Sequence, residues 1–385
     1  MGIEQPRINW VRKLWLTGRE MSAQLTRGIG LDPVLLLLAA AIASIGLVAG
    51  YSASHQNEIW LERTLIRLAL AFGLMLVLAQ LPVQWLFRAA PWLFMVSVLL
   101  LVAVWLVGDV GKGAQRWLNL GIIRFQPAEL MKVAAPVMVA WYLAHRPLPP
   151  RLSDVVVTLV LVFVPVLLIA AQPDLGSALL ILAAGLFTLF FAGLPWRYIL
   201  SVVVVAVLAA PLVWFFGMHD YQKTRVLTLL DPTADPLGAG YHTLQSMIAI
   251  GSGGFWGKGW LEGTQSHLRF LPEGTTDFVL AVYAEEFGLA GLLLLFALYL
   301  ALIWRGLWIA ATAVTIEGRL LAAAISMTLL VYILVNSGMV LGLLPVVGVP
   351  LPLMSYGGTA LVTVTVALGI LMSIRKQQSF LGHER

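Results

Sequence analysis

The chain has 385 residues, 60% of them hydrophobic and 11% charged, with a net charge of +5. A water-soluble protein of this size cannot bury so much apolar surface, so a soluble enzyme is excluded, no nucleic acid is expected as a partner, and the basic excess is assigned to membrane-side loops. Cysteine is absent, which removes disulfides, thiolate metal sites and cysteine nucleophiles.

Residues 1–32 are polar, basic and partly aromatic (Trp10, Arg12, Lys13, Trp15, Arg19). No apolar core with a small-residue cleavage site precedes the first apolar run, so the segment reads as an amphipathic stretch on the cytoplasmic leaflet, not a cleaved signal peptide. Apolar runs then predict about ten transmembrane helices, near 33–53, 62–80, 90–108, 127–145, 154–172, 175–193, 197–217, 278–304, 320–343 and 352–374. The fold class is an all-α integral membrane protein, with a transmembrane domain over 33–375 and a cytoplasmic tail at 376–385. Span two opens with Glu62, Arg63 and Arg67, which should point inward or toward headgroups. Connections are short except for one large loop, 218–277, between spans seven and eight.

Lys and Arg set the orientation. With both termini in the cytoplasm, the inner segments receive Arg7, Arg12, Lys13, Arg19, Arg88, Arg146, Arg151, Arg197, Arg305, Arg319 and Arg375, with few acids. The large loop then lies on the outer face, where ATP is not available. Chemistry there needs a substrate that carries its own activation.

Four outer segments hold polar residues that a simple anchor does not need. The first runs from Lys112 through Arg116 and Arg124 to Glu129 and Lys132; the last two are three apart and share a helix face. They read either as a buried salt bridge or as a phosphate grip made by Lys132 and Arg124, and the two readings are compatible. The second, Gln172 to Ser177, places Asp174 as a helix cap. The third is the large loop, with Lys223 and Arg225, a glycine run at 251–259, and Asp277 at the mouth of span eight. That glycine run lacks the Lys-Ser/Thr ending of a nucleotide loop, so it reads as close backbone packing or contact with a substrate headgroup. Asp277 reads as an N-cap or as a functional carboxylate, with Glu273, Glu285 and Glu286 nearby in sequence. The fourth, Pro345 to Gly358, has too many prolines and glycines for a plain helix and implies a broken or re-entrant segment, with Asn336 and Ser337 available to bond to it. The six histidines are scattered without ligand spacing.

Lys112–Trp117, Arg124–Lys132, Gln172–Ser177, Tyr221–Asp277 and Val346–Gly358, in this order, resemble the shape, elongation, division and sporulation (SEDS) family, on its elongation branch. The resemblance covers nearly the whole chain beyond the N-terminal thirty residues. It implies a peptidoglycan glycosyltransferase in the bacterial inner membrane that polymerises lipid II into β-1,4-linked glycan at the periplasmic face. It also implies a class B penicillin-binding protein transpeptidase as partner, beside the membrane lipids. The family's essential aspartate falls on Asp277, and the Gln-Pro-Ala-Glu-x-x-Lys motif places its acid and base on Glu129 and Lys132. Lys132, Glu129, Arg124, Lys223, Arg225, Arg116 and Ser355 are the expected substrate-binding residues. A divalent cation, Mg or Mn, at Asp277 is a further expectation. The alternatives are a lipid II flippase and a non-catalytic scaffold.

Overall fold

The computed structural model describes residues 31–111, 114–119, 124–218, 223, 227, 241–267 and 273–381. The N-terminal segment up to residue 30 and the last four residues of the tail lie outside them, as do Lys112 and Arg225.

The chain is mostly helical, and each predicted span falls on a helix. These are α1 (Pro33–Ala53), α2 (Glu58–Gln80), α3 (Val83–Val107), α4 (Pro127–Ala144), α5 (Leu152–Ala171), α6 (Leu175–Phe191) and α7 (Trp196–Leu212), the last continued by a wider turn at Val213–Gly217. The large loop contributes α8 (Tyr241–Gly253) and the short α9 (Thr264–His267), and α10 (Val279–Thr312), α11 (Ile316–Val340) and α12 (Gly358–Leu381) complete the bundle. Among the described residues six helices, α1, α3, α5, α10, α11 and α12, are long and apolar enough to cross a membrane by length and composition. The count of ten stays an expectation, because it rests also on α2 and α4, which carry charges, and on α6 and α7, of 17 residues each.

The helix starts follow from their caps. Asp32 accepts the Val34 and Leu35 N–H groups at 3.1 and 3.2 Å, with Pro33 in the first turn of α1. The other Asp32 oxygen meets Arg305 of α10 at 2.9 Å and Arg375 of α12 at 2.5 Å, so a fully buried carboxylate ties three helices at one end of the bundle. Large apolar side chains such as Leu70 and Trp304 are about 70% exposed, as a surface wetted by lipid tails requires (69% and 72%). α11 packs on α6, α10 and α4 and forms the buried centre.

Two features depart from a plain helix bundle. Between α3 and α4 the chain makes a three-stranded antiparallel sheet, β1 (Asp109–Gly111), β2 (Ala114–Asn119) and β3 (Arg124–Phe125), where the sequence reading had only a loop. Strands of two to six residues carry too little periodicity to be read in advance. The second is a break in α10 at Gly288, whose φ of 63° and ψ of −162° leave the helix. A break orphans nearby backbone groups, and the segment after α8 supplies their partners. Lys258 and Gly259 N–H donate to the carbonyls of Glu285 and Glu286, and Leu289 and Ala290 N–H donate to those of Gly254 and Phe255, all at 3.0 Å. This interlock is why glycines recur here. A Cβ at Gly257 would stand 2.1 Å from the Glu286 carbonyl oxygen, and one at Gly288 would stand 2.3 Å from the Gly257 nitrogen. Gly288→Ala therefore combines a left-handed backbone with a backbone clash. It is expected to cost several kcal/mol, on the order of 3 or more, and to lower the melting temperature in detergent sharply.

Candidate active site

The starts of α4, α6, α10 and α12 and the end of α11 converge around the irregular segment 341–357. As the proline and glycine content implied, this stretch has little helix, yet Val349, Leu351, Leu353 and Met354 are each under 5% exposed. Buried irregular backbone needs internal partners, and Asn336 of α11 provides them. Its amide donates to the carbonyls of Asp277 and Val349, both at 2.8 Å, which ties the Asp277 turn to the segment. Tyr356 N–H adds a bond to the Thr275 carbonyl at 2.9 Å. Ser337, the other expected donor, has no hydrogen-bond partner for its hydroxyl.

Asp277 sits in a turn at residues 273–278 that closes on Glu273, whose carbonyl accepts Thr276 and Phe278 N–H. The cap position of α10 belongs to Phe278, and no side chain caps that helix. The capping reading of Asp277 therefore falls. Its carboxylate instead lies beside Gly348, where a Cβ would be 3.7 Å from Oδ2. Gly348 has a φ of 72°, and with no side chain it lets the carboxylate lie close to its backbone.

The α6 start abuts the same segment. A Cβ at Gly176 would stand 2.8 Å from the Val347 carbonyl oxygen. Asp174 is an N-cap as expected, accepting Ser177 N–H at 3.2 Å, and its other oxygen accepts the Gln126 amide at 2.9 Å. That bond joins the starts of α4 and α6. One turn into α4, Lys132 and Glu129 pair at 2.7 Å with side chains only 6% and 9% exposed. The ammonium also lies 5.7 Å from the centre of the Tyr332 ring. The salt-bridge reading is thus correct.

Other expected site residues are placed differently. Arg116, on β2, donates to the carbonyls of Gln172 (3.4 Å) and Pro173, so its guanidinium serves the turn before α6. Ser355 accepts Leu351 N–H at 2.8 Å and is 8% exposed, so it pins the irregular segment. Arg124, on β3, is exposed, and Lys223 is half-buried within a mostly undescribed stretch. Glu285 and Glu286, near Asp277 in sequence, have partners of their own: Glu285 bonds Lys258, the Thr264 hydroxyl and the Gln265 N–H, and Glu286 accepts the Ser52 hydroxyl. Tyr332 is the neighbour of Lys132 that the sequence reading missed, whereas Gln126 and Gly348 lay within its motifs without a role assigned to either. Tyr332 carried a signal, being four residues before Asn336 on the same face of α11.

Arg124, Phe125 and Glu129 also form the mouth of an apolar groove between α2, α3, α4 and α12, with a volume of about 500 Å³ and open to its surroundings. Its α12 wall runs from Gly358 to Ser373, about 22 Å at the rise of a helix. The groove therefore follows much of the bundle's height, with charge at one end only of its outer mouth and alkyl side chains below.

Among the described residues no three His, Asp or Glu side chains gather to hold a metal ion. A divalent ion at Asp277 fits only with phosphate oxygens completing its shell, the arrangement that magnesium commonly adopts.

Residues 32–380 match FTSW_RODA_SPOVE, the cell cycle protein family. The chain belongs to this family. It is 52% identical over 354 residues to the peptidoglycan glycosyltransferase MrdB of Escherichia coli strain K12, covering 92% of this chain and 96% of that one. A probable peptidoglycan glycosyltransferase FtsW of Geobacter sulfurreducens is 37% identical, with 89% and 94% covered. Among solved structures, a chain of a peptidoglycan synthase complex that coordinates polymerization and crosslinking superposes with a TM-score of 0.80 at 34% identity, covering 90% of this chain and 98% of that one. The rod shape determining protein RodA of Thermus thermophilus superposes at 0.69 and 30% identity, with 90% and 97% covered.

Proposed function

We propose that this family member is a peptidoglycan glycosyltransferase that polymerises lipid II at the periplasmic face of the inner membrane during elongation. The observation that supports the reading is the placement of Asp277: it precedes the cap position of α10, its backbone carbonyl is held by Asn336, and its carboxylate lies beside Gly348. The names of the relatives support the activity class.

The chemistry follows from the placement. An acceptor sugar hydroxyl gives its proton to the Asp277 carboxylate as its oxygen bonds to the anomeric carbon of the second sugar. The bond from that carbon to the diphosphate oxygen breaks, and the diphosphate leaves with the electron pair. Lys132 and Arg124 stand as the cations that steady the leaving charge, Lys132 oriented by Glu129. The apolar groove below Arg124 suits the polyprenyl tail, so headgroup and tail are held by adjoining surfaces. A Mg or Mn ion at Asp277, when bound, would supply further neutralisation of the diphosphate. A class B penicillin-binding protein is the expected transpeptidase partner.

The test is polymerisation of labelled lipid II by the purified protein with that transpeptidase in detergent. Glycan strands from wild type support the reading. If no strands form where a known polymerase makes them, the enzyme reading falls, and lipid II flipping in vesicles becomes the activity to test. The gathering of the polar groups at one end of the bundle, rather than along a midplane path, favours the enzyme.

A further inference from the structure

Glu285 and Glu286 are adjacent in the first part of α10 and are 0% and 1% exposed. Two neighbouring buried carboxylates are costly unless each is paired. Glu285 meets the Lys258 ammonium at 2.7 Å and accepts the Thr264 hydroxyl at 3.0 Å and the Gln265 N–H at 3.1 Å. Glu286 takes the Ser52 hydroxyl of α1. Trp260, between these contacts, donates its indole N–H to the Val48 carbonyl of α1 at 3.2 Å. With the four backbone bonds around Gly288, the 254–265 segment is fastened to α10 and α1 as one plate.

This plate and Asp277 share the same stretch of chain. In sequence the Asp277 turn begins at Glu273, eight residues after Gln265, the last residue of the plate that Glu285 holds. The turn leaves directly into the helix that carries Glu285. We infer that the Glu285–Lys258 pair is a positioning latch that fixes the entry side of the Asp277 turn and so the place of its carboxylate. The inference rests on the reading of Asp277 as the base. Neither latch residue is assigned contact with substrate. A buried ion pair suits this task because it has one bonded geometry, whereas an apolar contact would let the plate slide.

The test uses the full chain with its transpeptidase. Lys258→Met is expected to lower kcat for lipid II polymerisation about ten- to a hundredfold, the scale of a small misplacement of a reacting group. KM should hold, and Lys258→Arg should recover most of the rate. Because the chain has no cysteine, a Thr275→Cys, Tyr356→Cys pair reports the position of the turn directly. Its disulfide should form more slowly when Lys258→Met is added. If Lys258→Met does not accumulate, Glu285→Gln, which keeps the shape and an acceptor oxygen, takes its place in both measurements. An unchanged kcat in a folded variant, a KM that rises in proportion to the lost rate, or an unchanged cross-linking rate overturns the latch. If wild type itself makes no glycan, the glycosyltransferase reading fails, while the cross-linking rates still decide whether the latch sets the turn.

Discussion

Asp277→Ala is expected to lower glycan synthesis by about 10² to 10⁴ in turnover, the usual share of a positioned general base. The folded protein should still accumulate, because the cap position of α10 is Phe278 and backbone bonds help hold the turn: the Asp277 carbonyl to Asn336 and the Thr275 carbonyl to Tyr356. Asp277→Asn sharpens the result. It keeps size and polarity and removes the basicity alone, so it should be as inactive as alanine. Polymerisation of labelled lipid II, read beside the melting curve of each variant, checks both statements. A variant that fails to accumulate, or an asparagine variant with near-normal turnover, would remove Asp277 from the chemistry.

Lys132→Met loses catalysis by about 10² to 10³, the scale of one preorganised charge on a developing anion. It also loses stability, because Glu129 is then buried at 8% exposure without its cation, a defect worth about 3–5 kcal/mol. The two losses separate in the double variant Lys132→Met, Glu129→Gln. Removing both charges restores the melting temperature, since no uncompensated ion remains. Turnover stays low if Lys132 acts on the diphosphate. Recovery of turnover in the double variant would show that the pair serves only the packing of α4 against Tyr332 and α11.

Much of the functional reading was legible before any coordinates. Asp277, Lys132 and Glu129 stood out because a charge at the edge of an apolar helix is expensive and must have a use. The proline and glycine content of 345–358 likewise announced irregular backbone, since such residues cannot continue a helix. Their meaning was less legible. Asp277 and Asp174 look alike in sequence, each a carboxylate at the start of an apolar run, yet Asp174 is the N-cap of α6, whereas the cap position of α10 is Phe278. Arg116 and Ser355 looked like substrate contacts because they lie in polar outer motifs, but the backbone of neighbouring turns takes their hydrogen bonds. Glu285 looked like a companion of Asp277 from its spacing, and the break at Gly288 brings it the 254–265 plate instead.

The sequence alone determined membrane residence, the approximate positions of the helices and which residues bear unaffordable charge, because hydropathy and charge cost depend on local composition and length. The tertiary structure decided which partners those charges meet. It also placed Gln126, Tyr332 and Gly348 around the site, and it put Lys258 against Glu285 across 27 residues of chain. Partnership of that kind depends on where distant segments meet, and no local pattern encodes it.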